Sequence, residues 1–294
     1  MIESVKKYLR KIIYFPFHIL NLFAKIYSKL LSFVDPNGSE CYWEEVSQTE
    51  IDKRIGSNLR LKNYSEYNLK SAEMQKKIIF HTPNKISSYR AHTYLSKEKD
   101  TIEWIEKYGN KNRIFYDIGS NMGVYSIFYA KIYQSKVFSF EPSFRNLDLL
   151  VRNIELNELD NYITVIPNPI YKNTTTNTFS QSINRAAGMA MSTFGKKNYN
   201  GFNFDTLSFS IDTLRSQNLI LPPNLIKIDV DGNELDIIEG AMETIKLATC
   251  KTILIETRDS TSLMLEKIFI KCGFKKDVSL RFKSDSNEIW TKIN

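Results

Sequence analysis

Short apolar segments alternate with longer helical patterns throughout the chain after residue 109, and this alternation limits the folds that the chain can adopt. It is typical of βαβ units, in which parallel strands form one sheet that helices cover on both faces. Candidate strands are 113–117, 136–141, 162–166, 225–230 and 252–256, and candidate helices are 122–133, 144–156, 234–246 and 262–272. The segments 274–282 and 288–293 predict an antiparallel hairpin. We therefore expect an α/β, Rossmann-like fold with a mostly parallel sheet and an antiparallel C-terminal hairpin.

The first candidate strand runs into a glycine-containing loop, DIGSNMG, which begins at Asp117 and leads into a helix. Gly119 lets the chain turn sharply off the strand, and Gly123 lets the helix approach a ligand or the sheet closely. The helix start also presents free backbone N–H groups, which favour an anionic group. These features predict a ligand cradle at the carboxyl end of a central strand, where such sheets usually bind ligands.

The charges near this loop distinguish between nucleotide cofactors. Dinucleotide-binding enzymes use Gly-x-Gly-x-x-Gly, whereas this loop reads Gly-x-x-x-Gly after an acid. A carboxylate repels a pyrophosphate but suits the α-ammonium of S-adenosylmethionine (SAM). Glu141 ends the next strand, where an acid can accept both ribose hydroxyls. We predict SAM as the cofactor, bound by Asp117, Gly119, Ser120, Asn121, Gly123 and Glu141. An NAD-dependent oxidoreductase and a plain βαβ turn with a solvated glutamate remain as alternatives.

A second group of acids follows the candidate strand 225–230. The segment LIKIDVDGNELDIIEGA brings Asp229 to the strand end, with Asp231 and Glu234 in the following turn and helix start, and the next strand brings Glu256 to the same edge. Like charges this close are costly, and proteins tolerate them where they bind a cation or activate a hydroxyl. Capping of the helix by Asp231 and Glu234 is the alternative interpretation.

Several segments between residues 100 and 277 resemble the FkbM family of SAM-dependent methyltransferases. They are FYDIGSNMGVYS, FSFEPSFRNLDLLVRNIELN, LSFSIDTL, and LIKIDVDGNELDIIEGA followed by ILIET. Family members usually read Asp-Val-Glu-Gly in the last block, and Asp231 stands at the glutamate position. The resemblance implies a seven-stranded sheet with a reversed last strand, and methyl transfer to a hydroxyl oxygen of a sugar, glycan or polyketide-like acceptor.

The resemblance also implies roles for individual cofactor-binding residues. By position, Asp117, Gly119 and Gly123 hold the methionine end of SAM, and Glu141 holds the ribose. Asn168, after the third strand, is where such enzymes contact the adenine.

Methyl transfer of this kind is an in-line displacement at the sulfonium, for which the enzyme supplies positioning and a base that accepts the hydroxyl proton. Asp229 is the first candidate for the base, and Asp231 and Glu256 follow. A divalent metal that chelates the acceptor hydroxyls is the alternative role for these acids. All three histidines precede residue 100, so no metal site is predicted. A non-catalytic SAM-binding or membrane-attached scaffold is the other alternative.

The segment 1–34 carries +5 of the chain's net charge of +7. From residue 20 its apolar and polar residues lie on opposite faces of a helix, and a basic amphipathic helix suits a lipid headgroup region. Its longest uncharged run, 12–24, is shorter than the ~20 apolar residues that span a bilayer. We expect an N-terminal helical extension that contacts a membrane peripherally, or packs on its own domain or on a second subunit of a homo-oligomer. The nearly neutral remainder argues against a nucleic-acid partner.

A turn signal at 35–38 divides the chain, and the predicted parts are 1–34, a helical cap or lid at 35–108, and the SAM-binding domain at 109–294. The three cysteines are widely spaced and odd in number, which indicates a reducing compartment. We expect a cytoplasmic location, extended to the inner membrane face if the N-terminal segment binds lipid.

The segment 181–205 is too long for a plain connection before the candidate strand 207–211, and we expect it to cover the acceptor. Arg185 is suited to orient an anionic acceptor. Tyr199, Phe202 or Phe204 are suited to stack on a sugar face. A disordered or subunit-contact loop is the alternative.

Overall fold

A computed structural model describes residues 64–71, 74–95, 99–182, 186–198, 200–279 and 287–293. These residues belong to one compact unit, Asn63–Asn294. The predictions for the segment 1–34, Arg185 and Tyr199 lie outside the described residues. No helix among those described is both long and apolar enough to cross a bilayer.

The elements alternate along most of the chain. In order, the strands are β1 (Tyr64–Ser71), β2 (Met74–His81), β3 (Phe115–Ile118), β4 (Val137–Phe140), β5 (Ile163–Ile166), β6 (Thr175–Gln181), β7 (Thr193–Phe194), β8 (Phe202–Ser208), β9 (Leu225–Ile228), β10 (Thr252–Glu256), β11 (Phe274–Lys276) and β12 (Asn287–Lys292). The helices are α1 (Lys85–Thr93), α2 (Lys99–Tyr108), α3 (Val124–Tyr133), α4 (Phe144–Leu156), α5 (Ile211–Ser216), α6 (Glu234–Glu239), α7 (Met242–Lys246) and α8 (Asp259–Lys271).

A seven-stranded sheet with the order β11-β12-β10-β9-β3-β4-β5 is the centre of the fold. The pairs of β3 with β4 and β9, β4 with β5, and β9 with β10 are parallel. The last strand, β12, runs antiparallel to both of its neighbours. This arrangement confirms the predicted Rossmann-like methyltransferase fold with an antiparallel C-terminal hairpin.

Helices cover both faces of this sheet, so its central strands are apolar on both sides. Every residue of β3, β4 and β9 is buried, as expected for a parallel sheet between two helical layers. Phe115 and Tyr116 are adjacent on β3 and belong to different apolar layers. Cys250 and Cys272 are free thiols that pack in the second layer.

The prediction of a helical region at 35–108 was wrong for its described first part, because β1 and β2 form an antiparallel hairpin. Ile78 and Phe80 on β2 are fully buried and alternate with less buried residues, a period of two that favours a strand. Two asparagines bind the hairpin, Asn153 on α4 and Asn157 at the C-terminal cap of this helix. Asn153 accepts the His81 N–H at 2.7 Å, and Asn157 accepts the N–H of Ile79 at 3.0 Å.

The candidate strand 207–211 was also placed incorrectly. Strand β8 ends at Ser208, and Ser210 caps α5 by accepting the Thr213 N–H at 3.1 Å, a role in which serine is favoured. β8 pairs with β6, which also pairs with β7, in a separate antiparallel sheet. The predicted helix 234–246 is two helices that break at Gly240, where a Cβ would lie 2.4 Å from the Tyr171 carbonyl oxygen.

Candidate active site

The glycine loop brings the end of β3 against the end of β9. Gly119 has φ +82°, in the left-handed region that favours glycine, and a Cβ there would lie 2.0 Å from the carbonyl oxygen of Asp229. Asn121 and Gly123 also have positive φ angles, 51° and 83°. The loop and the first acid of the second group therefore share one edge of the sheet.

A cavity of about 750 Å³, including solvent at its mouth, lies at this edge, and we call it the first cavity. Its position at the carboxyl ends of parallel strands is the usual ligand crevice of such sheets. The predicted site residues on its wall are Gly119, Asn121, Glu141, Asn168, Asp229 and Asp231. The structure thus brings together residues from four separate segments of the sequence.

Glu141 is buried at the end of β4, and backbone donors hold its carboxylate. Oε2 accepts the Asn121 N–H at 2.8 Å, and Oε1 accepts the Ser143 N–H at 2.8 Å. Burial raises the pKa of Glu141 to about 7, although these hydrogen bonds and the charge of Arg90 work in the opposite direction. Each oxygen keeps a second lone pair that can accept a hydrogen bond from a ligand.

Asp117 lies beneath the loop and does not line the first cavity. It is fully buried, and its Oδ2 accepts a hydrogen bond from Ser126 at 2.6 Å. Ser139 donates in turn to Ser126 at 2.7 Å. Oδ1 has no hydrogen-bond partner among the described residues, and burial raises the pKa of this carboxyl. A direct contact between Asp117 and a cofactor stays a prediction.

Asp229 pairs with a lysine that the sequence analysis did not single out. The Nζ of Lys227 lies 2.8 Å from Asp229 Oδ2, and the exposed fractions of the two side chains are 2% and 40%. Burial favours a raised pKa for Asp229, but the charge and hydrogen bond of Lys227 and the charge of Arg90 outweigh it and lower this pKa. Asp229 is therefore ionised at neutral pH.

Glu256 shares this environment from the end of β10. It is half-buried, and its carboxyl does not line the first cavity. Burial, followed by the charges of Asp229, Glu234 and Asp231, raises the pKa of Glu256 to about 7. Glu256 is therefore partly protonated near neutral pH, whereas Asp229 is ionised.

The other two acids bind backbone groups. Asp231 accepts the Ser192 N–H at 2.9 Å, and Glu234 accepts the Gly232 N–H at 3.1 Å. Burial raises the pKa of Glu234. No group of three or more His, Cys, Asp or Glu residues in the described part of the chain is arranged to hold a metal ion.

A strap formed by residues 186–192 contributes to the wall of the first cavity. Asn146 donates to the Met189 carbonyl at 3.0 Å and accepts the Gly188 N–H at 2.8 Å. Arg90 donates from Nε to the Gly188 carbonyl at 2.6 Å. Side chains from two distant helices thus hold the strap at the cavity.

The sequence predicts a covering segment at 181–205 but does not indicate the side chains that anchor it. Asn146 is a polar residue on the apolar face of α4, and this position is the sequence feature that could have identified it as an anchor. It is only 3% exposed. Arg90 lies in the region predicted as a cap, which carries no recognisable motif, so no local signal could identify it.

A second cavity of about 700 Å³ adjoins the first, and both are lined by Arg90, Gly119, Asn121 and Asp229. Ser120 and Lys227 line only the second cavity, together with three tyrosines, Tyr89, Tyr94 and Tyr125. Gly123 lies outside both walls, at the start of α3. Asp229 is therefore accessible from two adjoining spaces.

The aromatic residues predicted for the acceptor form a cluster beside the first cavity. Phe204 packs against Phe202 and Phe179 with ring centroids 5.6 Å apart, and stacks on Phe144 at 5.7 Å. Phe179 lines the first cavity. Stacking of Phe202 or Phe204 on a sugar stays a prediction, as does contact of Asn168 with adenine.

Several known proteins are similar to this chain. One is the hexuronic acid methyltransferase AglP of Haloferax volcanii, which is 23% identical over 188 residues. The match covers 58% of this chain and 70% of AglP. A solved structure of methyltransferase FkbM from Methylobacillus flagellatus is 13% identical, with a TM-score of 0.45. That match covers 85% of this chain, which spans 59% of the length of the Methylobacillus chain. The putative methyltransferase SMU.1697c of Streptococcus mutans, solved with S-adenosylhomocysteine (SAH), is 9% identical, with a TM-score of 0.44 and coverage of 67% and 98%.

The family profile described as the methyltransferase FkbM domain matches residues 117–276, more than half of the chain. The match includes every residue that lines the first cavity except Arg90, among them the glycine loop, Glu141 and Asp229. The chain therefore belongs to the FkbM family of SAM-dependent methyltransferases.

Proposed function

We propose that this methyltransferase transfers the SAM methyl group to a hydroxyl oxygen of a sugar, glycan or related small-molecule acceptor. The family supports methyl transfer, and the hexuronic acid named for AglP supports a sugar acceptor. The observation that carries the proposal is Asp229, an ionised carboxylate that lines both adjoining cavities beside a buried lysine.

The residues of the first cavity fit SAM, which supplies a methyl group activated by its positive sulfonium. Glu141 is fixed by two backbone donors and directs its remaining lone pairs to the ribose hydroxyls. Asn168 lies on the same wall and is assigned to the adenine. The contact of Asp117 with the ammonium of SAM stays a prediction, because this buried carboxyl lines neither cavity.

Asp229 is the proposed base. Because Lys227 keeps it ionised, it can accept the proton that the acceptor hydroxyl loses as its oxygen bonds to the methyl carbon. Glu256 lines neither cavity, so we place it outside the acceptor space, where its charge interacts with that of Asp229. Asp231 is the second candidate base because it lines the first cavity, although the Ser192 N–H already occupies one of its oxygens.

Two variants separate binding from chemistry. We expect Glu141→Ala to lose SAH binding in calorimetric titration, because it removes the carboxylate that two backbone donors fix at the predicted ribose position. Asp229→Asn should retain SAH binding but lower kcat for transfer from labelled SAM to sugar glycosides by about 10²–10⁴-fold. Asp148→Asn, which changes an exposed acid on α4, is the control. Wild-type protein that binds no SAH would refute the proposal, and full activity in Asp229→Asn would remove the base assignment.

We also propose that the enzyme is cytoplasmic and that the basic segment 1–34 attaches it peripherally to the inner membrane face. The charge of +5 on these residues supports this location.

A further inference from the structure

Arg90 occupies the boundary between the two cavities and lines both of them. Its Nε donates to the Gly188 carbonyl at 2.6 Å, which fixes the guanidinium plane against the strap. Among the described residues, no group accepts a hydrogen bond from its two terminal nitrogens, and no carboxylate forms an ion pair with it. The half-buried head of this arginine therefore presents paired N–H donors to the space where ligands bind.

The charges around Arg90 differ from those around the other cation of this region. Lys227 is matched by Asp229 at 2.8 Å. Arg90 lowers the pKa values of Glu141 and Asp229 through its charge but contacts neither as a salt bridge in the described structure. A partly desolvated cation without a close anion is costly, which favours an anion supplied by a ligand.

We propose that the Arg90 guanidinium binds a ligand carboxylate at the boundary of the two cavities. A planar fork of N–H donors matches the two oxygens of a carboxylate, and its geometry is already fixed by Gly188. The inference rests on the proposed function, which places the cofactor and the acceptor in these cavities. Two ligands can supply the carboxylate: the methionine end of the cofactor, or an acidic sugar acceptor.

The test compares matched ligands with and without a carboxylate on the full-length protein. Calorimetry measures the affinity for SAH against decarboxylated SAH. Ligand-observed NMR at saturating SAH compares methyl glucuronide with methyl glucoside. The variants are Arg90→Gln, which removes the charge, and Arg90→Lys, which retains it without the planar fork. Arg152→Gln removes an exposed arginine of α4 and is the control.

We expect wild-type protein to prefer the carboxylate in one of the two pairs by about 10- to 100-fold, the size of a hydrogen-bonded charge pair. Arg90→Gln should abolish that preference, Arg90→Lys should retain part of it, and Arg152→Gln should leave it unchanged. A preference within the SAH pair assigns the carboxylate to the cofactor, and a preference within the glycoside pair assigns it to the acceptor.

A carboxylate preference that is absent from both pairs, or that survives Arg90→Gln, would overturn the assignment even if SAH binds normally. Wild-type protein that binds neither SAH nor its decarboxylated form would instead overturn the proposed function. Far-UV circular dichroism spectra of Arg90→Gln and Arg90→Lys that match the wild type serve as the check that the fold is intact.

Discussion

Replacing Lys227 by methionine tests whether this buried lysine sets the charge of Asp229. Methionine fills irregular apolar space of similar length, so the main change is loss of an ammonium that lies 2.8 Å from Asp229 Oδ2. Lys227 also lowers the pKa values of Asp117 and Glu256. All three carboxyl groups therefore lose a nearby positive charge in this variant, and the pKa of each is expected to rise.

The size of the effect on Asp229 follows from the distance and the exposure. Two unit charges at this separation interact by about 6 kcal/mol at an effective dielectric constant of 20. Because the Asp229 side chain is 40% exposed, screening by water reduces this to about 1.5–3 kcal/mol. That free energy raises the pKa of Asp229 by about one to two.

A base works only when it is ionised, so kcat/KM falls as the pH drops through the pKa of Asp229. This pKa is lowered in the wild type, and the acidic limb of the profile therefore lies below about pH 4. We expect the limb of Lys227→Met to move upward by about one to two pH units. The measurement is methyl transfer from labelled SAM between pH 3 and 9, with SAH binding as the check of folding.

Lys172→Met is the matched control, because Lys172 pairs with Asp236 at 3.0 Å but lines neither cavity. Its pH profile should coincide with that of the wild type. Coincident acidic limbs in the wild type and Lys227→Met, with SAH binding retained, would show that Lys227 does not control the base.

Three further perturbations test other parts of the molecule. Gly119→Ala should lower the free energy of unfolding in urea by more than Gly273→Ala does. Both glycines have φ near +80°, but only a Cβ at Gly119 would meet a backbone oxygen, at 2.0 Å. Equal losses of unfolding free energy would contradict this. Burial raises the pKa of Glu141 to about 7, so its contribution to stability is present below its unfolded pKa and is lost as the pH rises towards 7. Glu141→Gln should therefore flatten the fall in the free energy of unfolding between about pH 5 and 8. An unchanged slope would count against the raised pKa of Glu141. Deleting residues 1–34 should release the protein from anionic vesicles in a flotation assay without loss of SAH binding, and equal vesicle binding by both forms would refute the membrane role.

The parts of the fold that the sequence predicts well are those specified by local patterns. Strand Thr252–Glu256 and helix Phe144–Leu156 have the bounds that periodicity alone predicts. The β1–β2 hairpin was missed because its position depends on Asn153 and Asn157, more than 70 residues away in the chain. Arg90 was missed for the same reason, since only the folded chain brings α1 to the strap.

The face on which a residue lies was harder to predict than its position at a strand end. Asp117, Ser139 and Lys227 are aligned across three neighbouring strands, and Ser126 of α3 covers this face. The sequence places Asp117 at the end of β3 but does not specify that its side chain points beneath the loop. This explains how an acid predicted to contact the cofactor is found fully buried.

The four acids of the second group have different partners, and these partners offset the cost of placing like charges close together. Asp231 and Glu234 each accept a backbone N–H. Glu256 has a pKa raised to about 7, so it carries only part of a negative charge near neutral pH. Asp229 alone combines a buried ammonium partner with access to both cavities. Since a charge is tolerated where a partner compensates it, the position of Lys227 explains why Asp229 stays ionised beside both cavities.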